Sequence, residues 1–360
     1  MTGEATTPAP DHDESEAMRP VRFGMVGYGF GGRYFHTPLI VAAPECELIG
    51  VMTSSADRQA LVAREVPGAR TYGSLAELVD AGVEAVAVST PADTHSSVTE
   101  EALQLGLAVV CDKPFALNPE AARHTVALAD ERGLVLSPYQ NRRQDSDFRT
   151  VRKLVAEGAL GTVTRMESRF ERWAPERGPG RSGGGTLLDF GSHLMDQALL
   201  LLGPAVSVYA EWRIRESGLE DDVFVAVTHA GGARSQLWGS WSQSAPGPRY
   251  RVTGTDATYV LGHADTQELL LLAGETPATL GERWGVEPPE THGTLHTGAT
   301  SVRYATERGR WDLFYPTFAR AVRGLNPPPV DAHDAVATAT ALEAARVSAS
   351  TGTVVPVPQP

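Results

Sequence analysis

Short apolar runs alternate with amphipathic, helix-like stretches over the first part of the chain. This alternation is typical of a parallel β-sheet with helices on both faces, because both faces of each strand are then buried. We therefore predict an α/β domain with a doubly wound parallel sheet over residues 21–140. Its predicted strands are 21–26, 46–52, 85–88, 108–111 and 134–137.

Beyond residue 140 the strand-like segments alternate apolar and polar positions, which is the pattern of a sheet with one buried face. We predict a second α/β domain over 141–330 with a largely antiparallel sheet, and a C-terminal helix and tail over 331–360. The predicted strands are 162–170, 206–215, 223–229, 234–241 and 250–253, and the predicted helices are 148–157, 187–202, 312–323 and 331–350.

Composition supports two domains and limits the partners. A chain of 360 residues exceeds what one hydrophobic core usually supports. With 44 acidic and 31 basic residues the formal net charge is -13, which argues against nucleic acid or an anionic membrane surface as a partner. No stretch approaches the roughly 20 apolar residues of a membrane-spanning helix. Any anion that the protein binds must therefore be held by a local site.

The termini and cysteines bear on the compartment. Residues 1–20 contain several acids, no basic residue before Arg19 and no apolar export segment, so we predict a disordered acidic tail. Cys46 and Cys111 lie in predicted strands, which fits reduced, buried thiols of a cytoplasmic protein. The histidines and cysteines show no ligand spacing, so no metal site is predicted.

A glycine-rich turn follows the first predicted strand and begins a helical stretch. There Gly27 permits a tight turn, Gly29 lets the backbone approach a pyrophosphate, and Gly32 allows close helix packing. The N-terminus of the helix then faces the phosphates. We predict a dinucleotide site, the alternative being an ordinary strand-to-helix turn. Its cofactor-binding residues are Gly27, Gly29, Phe30, Gly31 and Gly32.

The end of the second predicted strand bears on the choice of cofactor. An NAD site usually places an acid there for the ribose hydroxyls, whereas this chain has Thr53, Ser54 and Ser55. These small side chains leave room for a 2′-phosphate, and Arg58 is near enough in sequence to pair with it. We predict NADP(H). NAD(H) is the alternative if Ser55 only caps a helix, Arg58 is solvated and Asp57 approaches the ribose.

Another strand end reaches the same edge of the sheet. Thr90, Pro91 and His95 follow the strand at 85–88, where doubly wound sheets bind their ligands. We predict that this segment lines the nicotinamide side of the cofactor site. A purely structural role is an equal alternative for His95.

Asp189 and His193 lie four residues apart in a predicted helix, so both side chains project from one face. An imidazole can take a proton from an alcohol, and a carboxylate beside it fixes its tautomer and favours its protonated form. Lys113, directed by the restricted backbone before Pro114, brings an ammonium to the edge of the first sheet. We predict alcohol oxidation by Lys113, Asp189 and His193. The alternative is a helix-capping acid and a core histidine.

Polar residues also follow the last predicted strand of the first domain, where substrate and nicotinamide should meet. Tyr139, Asn141, Arg142 and Arg143 emerge there. Because arginines in loops are more often solvated, we assign only Asn141 and Arg142 to substrate binding.

Together these motifs resemble the Gfo/Idh/MocA family of NAD(P)-dependent oxidoreductases over nearly the whole chain after the tail. The resemblance implies a Rossmann domain followed by an α/β domain whose large, open, mainly antiparallel sheet carries the substrate pocket and the subunit interface. The family's lysine, aspartate and histidine correspond to Lys113, Asp189 and His193. The motifs are residues 27–32, residues 90–95, Asp112-Lys113-Pro114, and Gly184-Gly185 with Asp189 and His193.

Within the family, further segments look most like the NADP-linked scyllo-inositol 2-dehydrogenase branch. The family's usual Glu-Lys-Pro is Asp112-Lys113-Pro114 here. The shorter acid can shift the lysine, but we expect no loss of activity because the lysine and proline are kept. The segments are the glycine turn, His36-Thr37-Pro38-Leu39, Met52-Thr53-Ser54, Asn141-Arg142-Arg143 and Gly247-Pro248-Arg249-Tyr250.

The resemblance implies hydride transfer between NADP(H) and a secondary alcohol or ketone of a polyol or sugar, with scyllo-inositol as one candidate, in a homodimer or homotetramer. Two alternatives stay open. One is a reductase of another keto-sugar or an aldose, and the other is an NAD(P)-binding sensor without catalysis. The intact Lys113, Asp189 and His193 argue against the sensor.

Overall fold

The computed structural model describes residues 19–180 and 184–358, so the predicted acidic tail over 1–20 lies almost entirely outside the described residues. The N-terminal domain is built on a six-stranded parallel sheet of order β3-β2-β1-β4-β5-β6, which confirms the doubly wound prediction. Its strands are β1 Val21–Val26, β2 Cys46–Met52, β3 Arg70–Tyr72, β4 Ala85–Val88, β5 Ala108–Cys111 and β6 Leu136–Pro138.

Helices connect these strands on both faces of the sheet. A π-helical turn, Gly32–His36, follows the glycine-rich loop and continues into the first α-helix. Central strands β4 and β5 are buried throughout, because both faces are covered. The helices are α1 Thr37–Val41, α2 Ala56–Glu65, α3 Leu75–Asp80, α4 His95–Gln104 and α5 Pro119–Arg132.

The second domain is built on a nine-stranded sheet of order β14-β13-β12-β11-β7-β10-β9-β8-β15. Among the described strands of this sheet only β7 and β10 pair in parallel, so the prediction of a mainly antiparallel sheet is confirmed. The strands are β7 Val163–Glu171, β8 Ala205–Ile214, β9 Glu220–His229, β10 Arg234–Ser240, β11 Tyr250–Gly254, β12 Thr258–Leu261, β13 Gly293–His296, β14 Ser301–Tyr304 and β15 Val355–Pro356.

One face of this sheet packs against helices and forms the core of the second domain. The helix α11 contacts both α7 of this domain and α5 of the Rossmann domain, so it connects the two units. The helices are α6 Ser146–Ala156, α7 Thr186–Leu202, α8 Gln267–Leu272, α9 Pro277–Leu280, α10 Phe314–Val322 and α11 Ala332–Thr351. No helix in the described ranges is long and apolar enough to cross a membrane.

Packing does not follow the order of the chain throughout. The helix α10, which comes late in the sequence, lies on the Rossmann sheet, where Tyr315 makes an edge-to-face contact with Phe23 at 5.5 Å.

Both cysteines are free thiols, and burial raises the pKa of Cys111 to about 12.

Candidate active site

The glycine-rich turn after β1 leaves backbone free where a dinucleotide would lie. Gly27 has φ of 94°, and a Cβ there would lie 2.5 Å from the Ser89 carbonyl oxygen. A Cβ at Gly32 would collide with the Gly27 carbonyl. At Gly29, by contrast, nothing lies within 4 Å of a built Cβ, and the next residue, Phe30, is exposed. The turn is therefore tightly packed below and open above, which fits a bound pyrophosphate.

The residues predicted to contact the ribose of the cofactor follow β2. Thr53 is buried, Ser54 is exposed, and the Ser55 hydroxyl accepts the Arg58 backbone N–H at 3.4 Å. Ser55 therefore caps α2, as one of the alternatives expected, while the Arg58 side chain is exposed on the first turn of that helix. Small hydroxyls, a helix N-terminus and a solvent-facing guanidinium together fit a phosphate group.

His95 has a structural position. It is buried, with Nδ1 2.8 Å from the Pro114 carbonyl oxygen and Nε2 2.9 Å from the Thr90 carbonyl oxygen. Both ring nitrogens therefore face backbone, which favours the structural alternative over direct contact with the cofactor. The ring connects the segment after β4, where Pro91 is exposed, to the turn that carries Lys113.

Asp189 and His193 both lie on α7, as predicted, but they do not form a pair. Asp189 is in the first turn of the helix, and its Oδ1 accepts a short charge-assisted hydrogen bond from Lys113 Nζ. Lys113 Nζ also lies 3.4 Å from the Asp189 carbonyl oxygen. The expectation that Asp189 orients the imidazole is therefore corrected, because the partner of Asp189 is the lysine.

The imidazole of His193 is instead oriented by Gln140, which the sequence argument overlooked. His193 Nδ1 lies 3.1 Å from Gln140 Oε1, and the Gln140 amide nitrogen faces the Ser192 carbonyl oxygen at 3.5 Å. With the amide turned this way, Nδ1 carries the proton and donates it, which leaves Nε2 unprotonated. The free nitrogen is the one that a general base needs.

The protonation state of His193 also differs from the expectation. Burial lowers the pKa of His193 well below its usual range, and the nearby cations Lys113 and Arg142 lower it further. The prediction that a neighbouring carboxylate favours the protonated form is therefore wrong. His193 is a neutral imidazole at physiological pH, so it is ready to accept a proton.

Lys113, Asp189 and His193 line a cavity of about 100 Å³ between the two domains. Six of its lining residues are Phe, Tyr or Trp, and among them Phe170 stacks on Phe190 at 4.6 Å and Phe190 stacks on Trp241 at 4.8 Å. Such a cavity combines apolar ring surface, which suits C–H groups, with polar and charged groups, which suit hydroxyls. The lining comprises Phe35, Asp112, Lys113, Tyr139, Asn141, Arg142, Phe170, Arg172, Asp189, Phe190, His193, Trp241, Glu268 and Trp311.

Asn141 and Arg142, the predicted substrate residues, both line this cavity and are buried. The Arg142 guanidinium lies 3.3 Å from Asp145, makes a short ion pair with Glu268, and stands 4.6 Å above the ring centre of Phe170. Although burial acts against the charge, these two carboxylates hold the pKa of Arg142 above its usual range. Arg142 is therefore a fixed, charged part of the wall.

Sequence reasoning missed Glu268 as well as Gln140. Glu268 also binds Arg172 at 2.9 Å, so one carboxylate holds two arginines of the cavity wall. It lies 126 positions from Arg142 in the chain, and no local motif marks it. Gln140 could have been found from the sequence, because it directly precedes the predicted Asn141 after β6. In the part of the chain that is described, no group of three or more His, Cys, Asp or Glu residues is arranged to hold a metal ion.

A Rossmann sheet with an open glycine turn, next to a cavity that holds a lysine, an acid and a neutral histidine, defines a nicotinamide-dependent oxidoreductase. The profile of the oxidoreductase family with an NAD-binding Rossmann fold matches residues 21–140, and that of the GFO/IDH/MocA C-terminal domain matches residues 148–260. The chain belongs to the Gfo/Idh/MocA family and is an NAD(P)-dependent dehydrogenase.

Individual relatives agree with this assignment. The chain is 32% identical over 339 residues to scyllo-inositol 2-dehydrogenase (NADP(+)) IolW of Bacillus subtilis, covering 91% of this chain and 93% of that protein. It is 29% identical to 1,5-anhydro-D-fructose reductase of Ensifer adhaerens, covering 69% and 77%. The crystal structure of Bacillus subtilis yvaA superposes with a TM-score of 0.89 at 31% identity, covering 95% of this chain and 99% of that one.

Proposed function

We propose that this dehydrogenase transfers a hydride between NADP(H) and a secondary alcohol or ketone of a polyol or sugar, with scyllo-inositol as the first candidate. The observation that carries the proposal is the neutral His193, held by Gln140 with Nε2 unprotonated, beside the Lys113–Asp189 pair. A neutral base and an ammonium next to each other suit an alcohol that loses a proton as its oxygen becomes negative.

Each of the three residues has a separate part in oxidation. His193 Nε2 takes the hydroxyl proton of the substrate, while the Lys113 ammonium donates a hydrogen bond to the same oxygen and stabilises its developing charge. Asp189 holds the ammonium in place. The nicotinamide cofactor, when bound, would supply the acceptor for the hydride that leaves the carbon. In reduction the same groups return the proton.

The site has features of polyol recognition. The rings of Phe170, Phe190 and Trp241 line the cavity together with Asn141 and Arg142, so apolar surface for the C–H groups of a ring lies beside polar atoms for its hydroxyls. The related enzymes that act on scyllo-inositol and on 1,5-anhydro-D-fructose fit this substrate class.

NADP(H) is the proposed cofactor, with NAD(H) as the alternative. The glycine turn, with Gly27, Gly29, Phe30, Gly31 and Gly32, takes the pyrophosphate. Exposed Ser54 and Arg58 at the N-terminus of α2 support a 2′-phosphate there, and the NADP-linked relative from Bacillus subtilis points the same way. The remaining proposed contacts are Thr53, Ser55, Thr90, Pro91 and Lys113, with His95 acting through the backbone it holds.

The proposal is tested by mixing purified protein with NADP+ or NAD+ and following the absorbance of reduced nicotinamide across scyllo-inositol, myo-inositol and common aldoses. Reduction of NADP+ by an inositol supports enzyme, cofactor and substrate class together. Activity on an aldose alone, or oxidation of NADPH by a keto-sugar in the reverse assay, replaces the substrate. No turnover with any of them, together with tight NADPH binding seen by fluorescence, contradicts the dehydrogenase proposal and favours the sensor.

We also propose that the protein is a homodimer or homotetramer assembled through its nine-stranded sheet. Val223 and Val225 point into the domain core, so Phe224 between them points to the opposite face. There Phe224 packs on Trp238 at 5.1 Å, and Arg169 covers Trp238 at 3.9 Å. Light scattering on wild type and on Trp238→Glu tests this, and a monomeric wild type contradicts it.

A further inference from the structure

His36 is buried on the helical turn that follows the glycine loop, and its contacts lead toward the catalytic lysine. Its Nδ1 lies 2.5 Å from the Tyr315 hydroxyl of α10. Its Nε2 lies 3.2 Å from Asp112 Oδ2, at ion-pair distance but without a well-aligned hydrogen bond. Because the neighbour of Nε2 is a carboxylate, Nε2 carries the proton. The ring of Tyr139 covers the imidazole at 4.1 Å.

Asp112 connects His36 to Lys113, and both of its carboxylate oxygens accept hydrogen bonds. Oδ1 accepts the backbone N–H of Lys113 at 2.7 Å, and Oδ2 accepts the Ser89 hydroxyl at 2.7 Å. Although burial acts in the opposite direction, His36, His95 and Lys113 together hold the pKa of Asp112 far below its usual range. The carboxylate is therefore ionised and held in one orientation directly next to the lysine.

The glycine loop takes part in the same cluster. A Cβ at Gly31 would strike Ser89 Oγ and would lie 2.7 Å from Asp112 Oδ2, so the loop rests on this pair without a side chain between them. On the other side, the Thr37 hydroxyl donates a hydrogen bond to the Gly32 carbonyl oxygen at 2.7 Å. The loop, His36 and Asp112 therefore form one packed unit.

We propose that His36 is a positioning residue that acts through Asp112 to set the orientation of Lys113 toward Asp189 and links that orientation to the glycine loop. This inference rests on the proposed function for the role of Lys113. It also accounts for the short acid before Lys113, since Asp112 fits between the lysine backbone and a histidine that reaches it from the loop helix.

The test uses the lysine content of the chain, which is only Lys113 and Lys153. In protein labelled with 13C,15N-lysine, each gives its own Cε–Hε signal, and Lys153→Arg assigns them. His36→Phe and Asp112→Asn should both shift the Lys113 signal while the Lys153 signal stays in place. His36→Gln, which keeps an N–H donor, should shift Lys113 less. These readouts need neither substrate nor cofactor.

A matched control is His229→Phe, since His229 is a buried histidine of the second domain that contacts the Gly203 carbonyl and the Ser235 hydroxyl. It should leave the Lys113 signal unchanged. The inference is overturned if Lys113 is equally unmoved in His36→Phe, or moves as much in the control. If His36→Phe does not fold, Tyr315→Phe and His36→Gln carry the comparison.

Turnover adds a second readout once a substrate is established. His36→Phe should lower kcat by about 10- to 100-fold, the scale of a small misplacement of a reacting group, with a smaller change in KM. In a double-mutant cycle, adding His36→Phe to Asp112→Asn should cost little more. Additive losses overturn the inference. Absence of turnover in wild type removes the proposed function but leaves the lysine signals to decide the contact.

Discussion

The cofactor edge and the catalytic cavity of this protein are built by different means. At the cofactor edge the shape comes from backbone within one short segment, where Gly27 and Gly29 allow the turn and the open approach. In the cavity it comes from side chains far apart in sequence, such as Lys113 with Asp189 and Arg142 with Glu268, 76 and 126 positions apart. The cofactor edge therefore depends on glycines at a few positions of one segment, and the cavity depends on ion pairs between distant segments of the chain.

His193→Ala should have the largest effect on the cavity and none on the cofactor edge. Loss of the general base is expected to reduce turnover by about 10²- to 10⁴-fold. NADPH binding, followed by fluorescence, should stay at the wild-type level, because His193 lies in the cavity and not at the glycine turn. His229→Ala is the matched control, and an unchanged turnover in His193→Ala would remove this residue from the mechanism.

Arg142→Met should show how much the cavity depends on its ion pairs. The change leaves the Asp145 and Glu268 carboxylates buried without their shared cation, for which we expect a loss of about 3–5 kcal/mol in the free energy of unfolding at neutral pH. Urea unfolding measures it. Arg172→Met, which removes a more exposed arginine that pairs with Glu268, should cost less than about 1 kcal/mol. Equal losses of unfolding free energy in the two variants would contradict a special dependence on the buried Arg142.

Gln140→Glu should change the pH dependence of the reaction. In wild type the pKa of His193 lies well below its usual range, so the neutral base needed for oxidation is lost only in strongly acidic solution. A carboxylate at Nδ1 favours the imidazolium, so the acid limb of the kcat profile should move to higher pH by about 1–3 units. Gln144→Glu, which meets Arg149 instead, is the control and should leave the limb in place. A profile unchanged in Gln140→Glu would show that Gln140 does not orient the base.

Arg58→Ala should have the smallest effect and act at the cofactor edge alone. Its side chain is exposed, so loss of its contact with a 2′-phosphate should raise the KM for NADP+ by about 10-fold and leave that for NAD+ unchanged. The neighbouring Arg64→Ala, on the same helix and paired with Glu65, serves as the control. Equal changes for both cofactors would exclude a phosphate contact at Arg58.

The Rossmann strands could be predicted from sequence because their signal is local. Buried central strands such as β4 and β5 are continuous apolar runs, and their predicted bounds agree with the structure. The strand β3 was missed because it has three residues, two of them exposed. In the second domain β12, β13, β14 and β15 were also missed. Each has four residues or fewer, and no residue of β14 is fully buried.

The composition of the cavity was only partly predictable. A helical spacing of four placed Asp189 and His193 on one face, but it could not show that the partner of Asp189 is Lys113 and not His193. The direction of the His193 pKa likewise depends on burial and on arginines from other elements, which no local pattern records. Long-range partners such as Glu268, 126 positions from Arg142, require the folded chain.

The helix α11 has a consequence for how the molecule unfolds. It packs on α7 and β8 of the second domain and on α5 of the first, and the chain beyond it adds β15 to the edge of the larger sheet. If α11 detaches, apolar surface of both domains is exposed. Thermal unfolding should therefore be one cooperative transition of the whole chain, and removal of the last thirty residues should destabilise the cofactor domain although the deletion lies outside it.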